Sequence, residues 1–180
     1  NWYLYFIILE FLDYQGKEFN VFKNNGVVTM EFNNNVFLND DKNYTKLFLG
    51  RCNKCNPFYK DFFNNFEFDT VLVAGLGLGL IPQELIEVNK CSKVDCLEIS
   101  QEMIDYTHNS GHLNQNINLI QGDIYQYSTS NMYDLIIIDT IWQKHNMSDD
   151  QWNILVKKYK PNLNPKGAIF APVKQKYFSI

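Results

Sequence analysis

The chain has 180 residues, 46% of them hydrophobic and 16% aromatic, and a net charge of −4. That length suits one α/β domain with some chain left for an N-terminal appendage, and the apolar content excludes disorder over most of it. The acidic balance argues against a protein that coats nucleic acid by charge alone.

In chain order, Trp2 to Leu12 (WYLYFIILEFL) is strongly apolar but carries Glu10. It is shorter than the roughly 20 residues a bilayer span needs and lacks the basic leader and small-residue cleavage site of a signal peptide. A buried strand or helix is expected, and no membrane anchor. The chain opens at Asn1 without a methionine, as a fragment or a processed chain would. Glu18–Lys23 is a possible strand. Gly26–Phe32 and Val36–Asn39 are β-prone runs joined by Asn33-Asn34-Asn35, a hairpin signal because asparagine tolerates positive φ. Pro57–Phe66 (PFYKDFFNNF) spaces aromatics as a helix would, to pack on the sheet that follows. Residues 1–68 are expected to form a β-rich appendage and 69–180 the main domain.

Cys52 and Cys55 have C-x-x-C spacing, but the other two cysteines, Cys91 and Cys96, are five apart. A four-cysteine zinc site usually needs a second tight pair, so reduced thiols, no metal and a cytoplasmic setting are expected.

From Thr70 the pattern becomes alternating strand and helix, which implies a parallel sheet with right-handed crossovers. Thr70–Ala74 (TVLVA) reads as a buried strand. Gly75, Gly77 and Gly79 follow at alternate positions, then a helix over about Leu80–Asn89 with Pro82 in its first turn. The dinucleotide pattern G-x-G-x-x-G is not met, since Leu80 stands where the third glycine belongs, and no Gly-Lys-Ser/Thr closes a phosphate loop. Lys93–Ile99 is the second strand. Ser100 is an N-cap for a helix to about Asn109, with Gly111 beyond it. Ile117–Gln121 and Tyr133–Asp139 are strands three and four. Ser148 caps a helix over Asp149–Tyr159, with acids in its first turn and lysines in its last. Lys166-Gly167 leads into strand five, Ala168–Pro172. Gln151–Ile180 holds six lysines and no acid, so it is +6 against −10 for the remainder. A solvated basic edge is the expected outcome.

Ligands of open α/β sheets sit outside the carboxyl ends of the strands, at the switch in strand order. Three glycines follow strand one, Glu98 ends strand two, Gly122-Asp123 follow strand three and Asp139 ends strand four. Glu98 can accept from two vicinal ribose hydroxyls, and Asp123 from an exocyclic amine, because a carboxylate is acceptor-only. A strand-end acid standing alone is as readily a helix cap or a solvated loop charge; the joint pattern points to a nucleoside site.

VLVAGLGLG, VDCLEIS, NLIQGDI and YDLIIID resemble the first four motifs of class I S-adenosylmethionine-dependent methyltransferases, over about residues 70–172. The resemblance implies a Rossmann-like, mostly parallel sheet of order 3-2-1-4-5. It implies S-adenosylmethionine as cofactor, held by Gly75, Gly77, Gly79, Glu98, Ile99, Asp123 and Ile124. Asp139 would lie where the reaction centre opens, as general base or substrate orienter, with Thr140 and Trp142 toward the substrate. Trp142 could face a sulfonium by cation–π contact, although a tryptophan just after a buried strand commonly packs in the core. The chain stops soon after strand five, where the family continues through another helix and two strands. Similarity to spermidine synthases extends to the N-terminal hairpin, GDI and IIIDT, which keeps aminopropyl transfer from decarboxylated S-adenosylmethionine as an alternative. That alternative is weakened because the glycine turn has no acid and Asp139-Thr140-Ile141-Trp142 lacks a second aspartate. A non-catalytic nucleoside-binding module is the third possibility. His108 and His112 are separated by a helix-ending Gly111 and have no third ligand partner, and His145 reads as a solvated loop residue. Methyl transfer to a small molecule is the leading expectation; the acceptor and the oligomeric state are not legible.

Overall fold

A computed structural model describes residues 11–24, 27–32, 62–111, 113–140, 147–172 and 176–180. The chain separates into two compact units, Asn1–Lys54 and Cys55–Ile180.

In the first unit, β1 (Phe11–Gln15), β2 (Phe19–Asn24) and β3 (Val27–Phe32) form an antiparallel sheet in the order β1-β2-β3. β2 and β3 pair without interruption from Phe19 opposite Phe32 to Asn24 opposite Val27. The sequence between them is Asn25-Gly26, the pair that two-residue hairpin turns favour. Val27–Phe32, the described part of the Gly26–Phe32 run, therefore pairs with the strand before it. The expected partner, Val36–Asn39, lies outside the described residues, as do Asn33–Asn35 and Trp2–Glu10. Phe19, Val21 and Met30 are buried, with Val21 directly opposite Met30, whereas Leu12 is 50% exposed.

The second unit is built on a six-stranded sheet of order β6-β5-β4-β7-β8-β9. Its strands are β4 (Thr70–Ala74), β5 (Lys93–Glu98), β6 (Ile117–Gln121), β7 (Tyr133–Ile138), β8 (Leu163–Ala171) and β9 (Lys176–Ser179). The first five are parallel in the expected order 3-2-1-4-5. The sheet does not end there: β9 adds an antiparallel edge beside β8, from Ala168 opposite Ser179 to Ala171 opposite Lys176. β8 also begins earlier than expected. Two steps along β7, Tyr133 to Leu135, are matched by five along β8, Leu163 to Ala168. The surplus forms a bulge in which Lys166 takes φ +66°. Lys166-Gly167, expected to lead into the strand, is thus an irregularity inside it.

Three helices connect the strands: α1 (Leu80–Glu87), α2 (Gln101–Asn109) and α3 (Asp149–Tyr159). α1 and α2 lie against β5 and β6, and α3 lies against β8. The chain winds outward from β4 in one direction and from β7 in the other, so right-handed crossovers set α1 and α2 on one face and α3 on the other. The α3 face carries a core of Leu72, Ala74, Leu97, Ile136, Ile138 and Ile169 from the strands with Trp152, Leu155 and Tyr159 from the helix. Phe62, in a helical turn over 62–64, stacks on Phe170 of β8 with ring centroids 3.9 Å apart. Of the helix expected at Pro57–Phe66, only the part from Phe62 onward is described. Among the described residues no helix is long and apolar enough to cross a membrane, and no cluster of three metal-ligating side chains occurs.

Candidate functional site at the carboxyl edge of the sheet

The strand order reverses between β4 and β7, and four neighbouring carboxyl ends bring Asp123, Glu98, the glycine turn and Asp139 into one row. Single hydrogen bonds carry the ladder one residue past each strand and fix that row: Gly75 N–H to Leu97 O (2.8 Å), Asp139 N–H to Ala74 O (2.8 Å) and Gly122 N–H to Glu98 O (2.9 Å).

The three glycines have different reasons to be glycine. Gly75 has φ +102°, and a Cβ there would stand 2.3 Å from the Asp139 carbonyl oxygen. At this position the turn comes close to the protein's own backbone across the switch point. Gly77 has φ +51°, and a Cβ there would meet nothing within 4 Å. A side chain there would face open space. Gly79 has φ +78° and is the N-cap of α1, with no side chain capping that end. Leu76 and Leu78 point inward and are buried, so the alternation G-L-G-L-G sorts an apolar side from a bare backbone side.

Glu98 is only 8% exposed. Its carboxylate turns toward the glycine turn: Oε2 accepts from Leu76 N–H at 2.9 Å, while Oε1 accepts from Ser100 N–H at 2.9 Å. Ser100 in turn caps α2 by accepting from Met103 N–H at 3.0 Å. One side chain therefore ties the β4 turn to the start of the next helix. Each carboxylate oxygen takes one bond, which leaves acceptor capacity on both. Ile99, the next residue, is 42% exposed at the same edge.

Asp123 is half-buried, and its Oδ1 accepts from Tyr125 N–H at 2.9 Å, closing an Asx turn. Its Oδ2 takes no hydrogen bond among the described residues. Ile124 is buried in the core beneath. Asp139 and Thr140 are half-buried at the end of β7. Trp142 and His145 lie outside the described residues, as do His112, Cys52 and Cys55. His108 is exposed on the last turn of α2. Cys91 and Cys96 are buried free thiols. Burial, reinforced by Asp69, pushes the Cys91 thiol up to about 12, and burial pushes Cys96 well above its ordinary value. Both stay protonated at neutral pH and are poor nucleophiles or ligands.

Two contacts were not foreseeable from strand-end residues. The Leu76 N–H that orients Glu98 is a backbone group without a sequence signature. The segment 122–132 that carries Asp123 has no helix of its own and is held by Lys158 and Tyr159 of α3 and by Asn162 in the turn after it. The apolar spacing of Trp152, Leu155 and Tyr159 could have marked the buried face of α3, though not the hydroxyl's target.

Residues 71–167, more than half of the chain, match the family described as methyltransferase domain. The chain belongs to that family. The matched span runs from β4 into the bulge of β8 and takes in every residue of the row. This methyltransferase domain is 29% identical over 89 residues to malonyl-[acyl-carrier protein] O-methyltransferase 1 of Ilyobacter polytropus, a match that covers 49% of this chain and 32% of that protein. The chain thus spans about a third of the length of that curated relative. Among solved structures, coclaurine N-methyltransferase bound to N-methylheliamine and S-adenosylhomocysteine aligns with a TM-score of 0.52 at 18% identity, over 64% of this chain and 34% of that one. N-methyltransferase NodS from Bradyrhizobium japonicum WM9 aligns with a TM-score of 0.50 at 18% identity, over 64% and 68% respectively. At such identities the likeness is one of fold, a Rossmann-like α/β sheet.

Proposed function

We propose that the protein is an S-adenosylmethionine-dependent methyltransferase acting on a small molecule. The observation that carries this reading is Glu98, a nearly buried carboxylate hydrogen-bonded to the backbone of the glycine turn at the switch point of the sheet. The site's chemistry fits an adenosyl cofactor. Bare backbone at Gly77 leaves room above the turn, Glu98 keeps an acceptor site on each oxygen for two vicinal hydroxyls, and Asp123 keeps Oδ2 for an exocyclic amine. Ile99 offers an exposed apolar side chain beside the same edge, and Ile124 forms the floor. S-adenosylmethionine, when bound, supplies an electrophilic methyl group on a sulfonium.

The chain's own residues contribute position. Held donors and acceptors that orient two reactants in line can supply several kcal/mol of a barrier of this kind. Asp139, fixed by its N–H to Ala74, stands at the far side of the glycine turn from Asp123, where it can orient the acceptor or take its proton. Thr140, beside it at the end of β7, and Trp142, by the family resemblance, are assigned to the acceptor. The acceptor is a small molecule and the setting cytoplasmic, in keeping with the free thiols at Cys91 and Cys96 and the acidic net charge. Residues 1–68 serve as an appendage to the catalytic domain 69–180.

Calorimetric titration with S-adenosylmethionine, its decarboxylated form and S-adenosylhomocysteine tests the proposal. Binding of the first and third is expected. A clear preference for the decarboxylated form would transfer the reading to aminopropyl transfer, and binding without turnover across acceptor panels to a nucleoside-binding module. Glu98→Ala is expected to weaken binding by more than about tenfold, the equivalent of one charge-assisted hydrogen bond. Unchanged affinity in a folded variant would refute the ribose assignment.

A further inference from the structure

We propose that Tyr159 is a positioning residue for the cofactor's base, aiming the Asp123 carboxylate through a single peptide group. The inference rests on the cofactor reading above and adds a residue 36 positions from Asp123 to it.

The chain crosses from β6 at one edge to β7 near the centre through residues 122–132, close to the shortest connection parallel strands allow. No helix forms there. Its turn is organised by Asp123, whose carbonyl accepts from Gln126 N–H (2.9 Å) and Tyr127 N–H (2.7 Å) and whose Oδ1 accepts from Tyr125 N–H (2.9 Å). The Tyr125 N–H belongs to the same peptide unit as the Ile124 carbonyl. That carbonyl accepts from the Tyr159 hydroxyl at 2.7 Å, and the Tyr127 carbonyl lies within reach of the same hydroxyl at 3.0 Å.

A trans peptide is planar, with C=O and N–H pointing opposite ways. Fixing its oxygen from the core therefore fixes the direction of its hydrogen, and so the carboxylate that accepts it. Tyr159, the last residue of α3, is 1% exposed and buried in the same core as Ile136 and Ile138 of β7, so close packing holds its hydroxyl in place. Polarisation along O–H···O=C–N–H···O⁻ strengthens each bond in the series. Lys158 adds a second hold on the far side of the same residue, its Nζ donating to the Tyr125 carbonyl at 3.1 Å. Asn162 secures the rest of the segment through the Thr129 (2.8 Å) and Asn131 (3.0 Å) carbonyls. The outcome is that Oδ2 of Asp123 presents a fixed acceptor, able to distinguish an amine from a carbonyl on the base.

Base discrimination is the readout that a merely structural role would leave alone. The affinities of S-adenosylhomocysteine and S-inosylhomocysteine, which carry an amine and an oxo group at the same position, are measured on the full chain. The wild type is expected to prefer the adenosyl compound by about tenfold or more, as for one hydrogen bond to a charged group. Tyr159→Phe, which removes only the hydroxyl, is expected to cut that preference several-fold while leaving the inosyl affinity unchanged. Lys158→Met should act in the same direction, and it carries the test alone if Tyr159→Phe does not fold. Equal losses for both compounds, or an intact preference in the folded variants, would overturn the positioning role while leaving the cofactor proposal standing. Failure of the wild type to bind either compound would overturn both.

Discussion

At the residue scale, the glycine turn separates two demands that a motif merges. Gly75 is required by the fold, because its φ of +102° and the Asp139 carbonyl beside it exclude any side chain. Gly77 is required only by its backbone, since its Cβ direction is open. Gly75→Ala is therefore expected to lower stability by at least about 3 kcal/mol, the sum of a disfavoured φ and a backbone clash. Gly77→Ala should cost only about 1 kcal/mol for the left-handed conformation, yet weaken cofactor binding because its methyl group projects into the open side of the turn. Urea unfolding of the two variants decides the matter: equal losses would mean the two positions share one constraint. Glu98 was legible in the sequence as a strand-end acid, because the register of a parallel sheet delivers residues at that position to one edge. The cost of its burial was not, since that depends on Leu76 N–H, a group every residue but proline carries.

At the level of elements, most of what positions the site follows from local chemistry. Ser148 accepts from Gln151 N–H while the Gln151 side chain accepts from Ser148 N–H, the reciprocal cap that the serine predicts, and Asp149 and Asp150 add favourable charge at that end. Ser148→Ala is expected to destabilise α3 by about 1 kcal/mol, seen as a lower urea midpoint. Because α3 carries Tyr159, part of that loss should reach the segment around Asp123; a variant with the wild-type midpoint would show that packing of Trp152 and Leu155 alone sets the helix. The elements the sequence concealed are those whose shape is set from a distance. β8 takes in the Lys166-Gly167 pair expected to lead into it, and its bulge is stabilised from β7, where Asp134 Oδ1 accepts from Asn164 Nδ2 at 2.8 Å. β9 is four residues long with exposed Tyr177 and half-buried Phe178, too short for its alternation to stand out before β8 provides an edge. The β2–β3 pairing was missed because a run of three asparagines outweighed the shorter Asn25-Gly26 signal.

The whole molecule depends on two carboxylates that lock the sheet far from the site. Asp95 is fully buried on β5 and accepts from Tyr133 Oη (2.6 Å), Asn118 Nδ2 (2.9 Å) and Asn131 Nδ2 (3.3 Å), with Lys93 Nζ at 3.4 Å. Asp134 joins the starts of β4 and β7, its Oδ2 accepting from Asp69 N–H and Thr70 N–H, each at 2.9 Å. Burial works to raise both carboxyls, but the bonds from Tyr133 and Asn118 with the Lys93 charge outweigh it at Asp95, and those from Asn164, Thr70 and Asp69 outweigh it at Asp134. Both end below the ordinary 3.8. A carboxyl depressed on folding binds protons more readily in the unfolded chain. Its contribution is complete above the ordinary carboxylate value and disappears as pH falls through the depressed one. At the alkaline end the signs reverse. Burial, aided by Asp95, raises the Tyr133 hydroxyl, and burial raises Cys91, so their protonated forms favour the folded state until pH climbs past 9 to 10. Stability should thus form a plateau between about pH 5 and 9 and fall on both sides. Asp95→Asn is expected to lower the plateau by about 3 kcal/mol, because a hub of buried donors loses its charged acceptor, and to flatten the acid limb. Urea midpoints taken from pH 2.5 to 10.5 test this. An acid limb equally steep in Asp95→Asn and the wild type would place the acid sensitivity elsewhere in the chain.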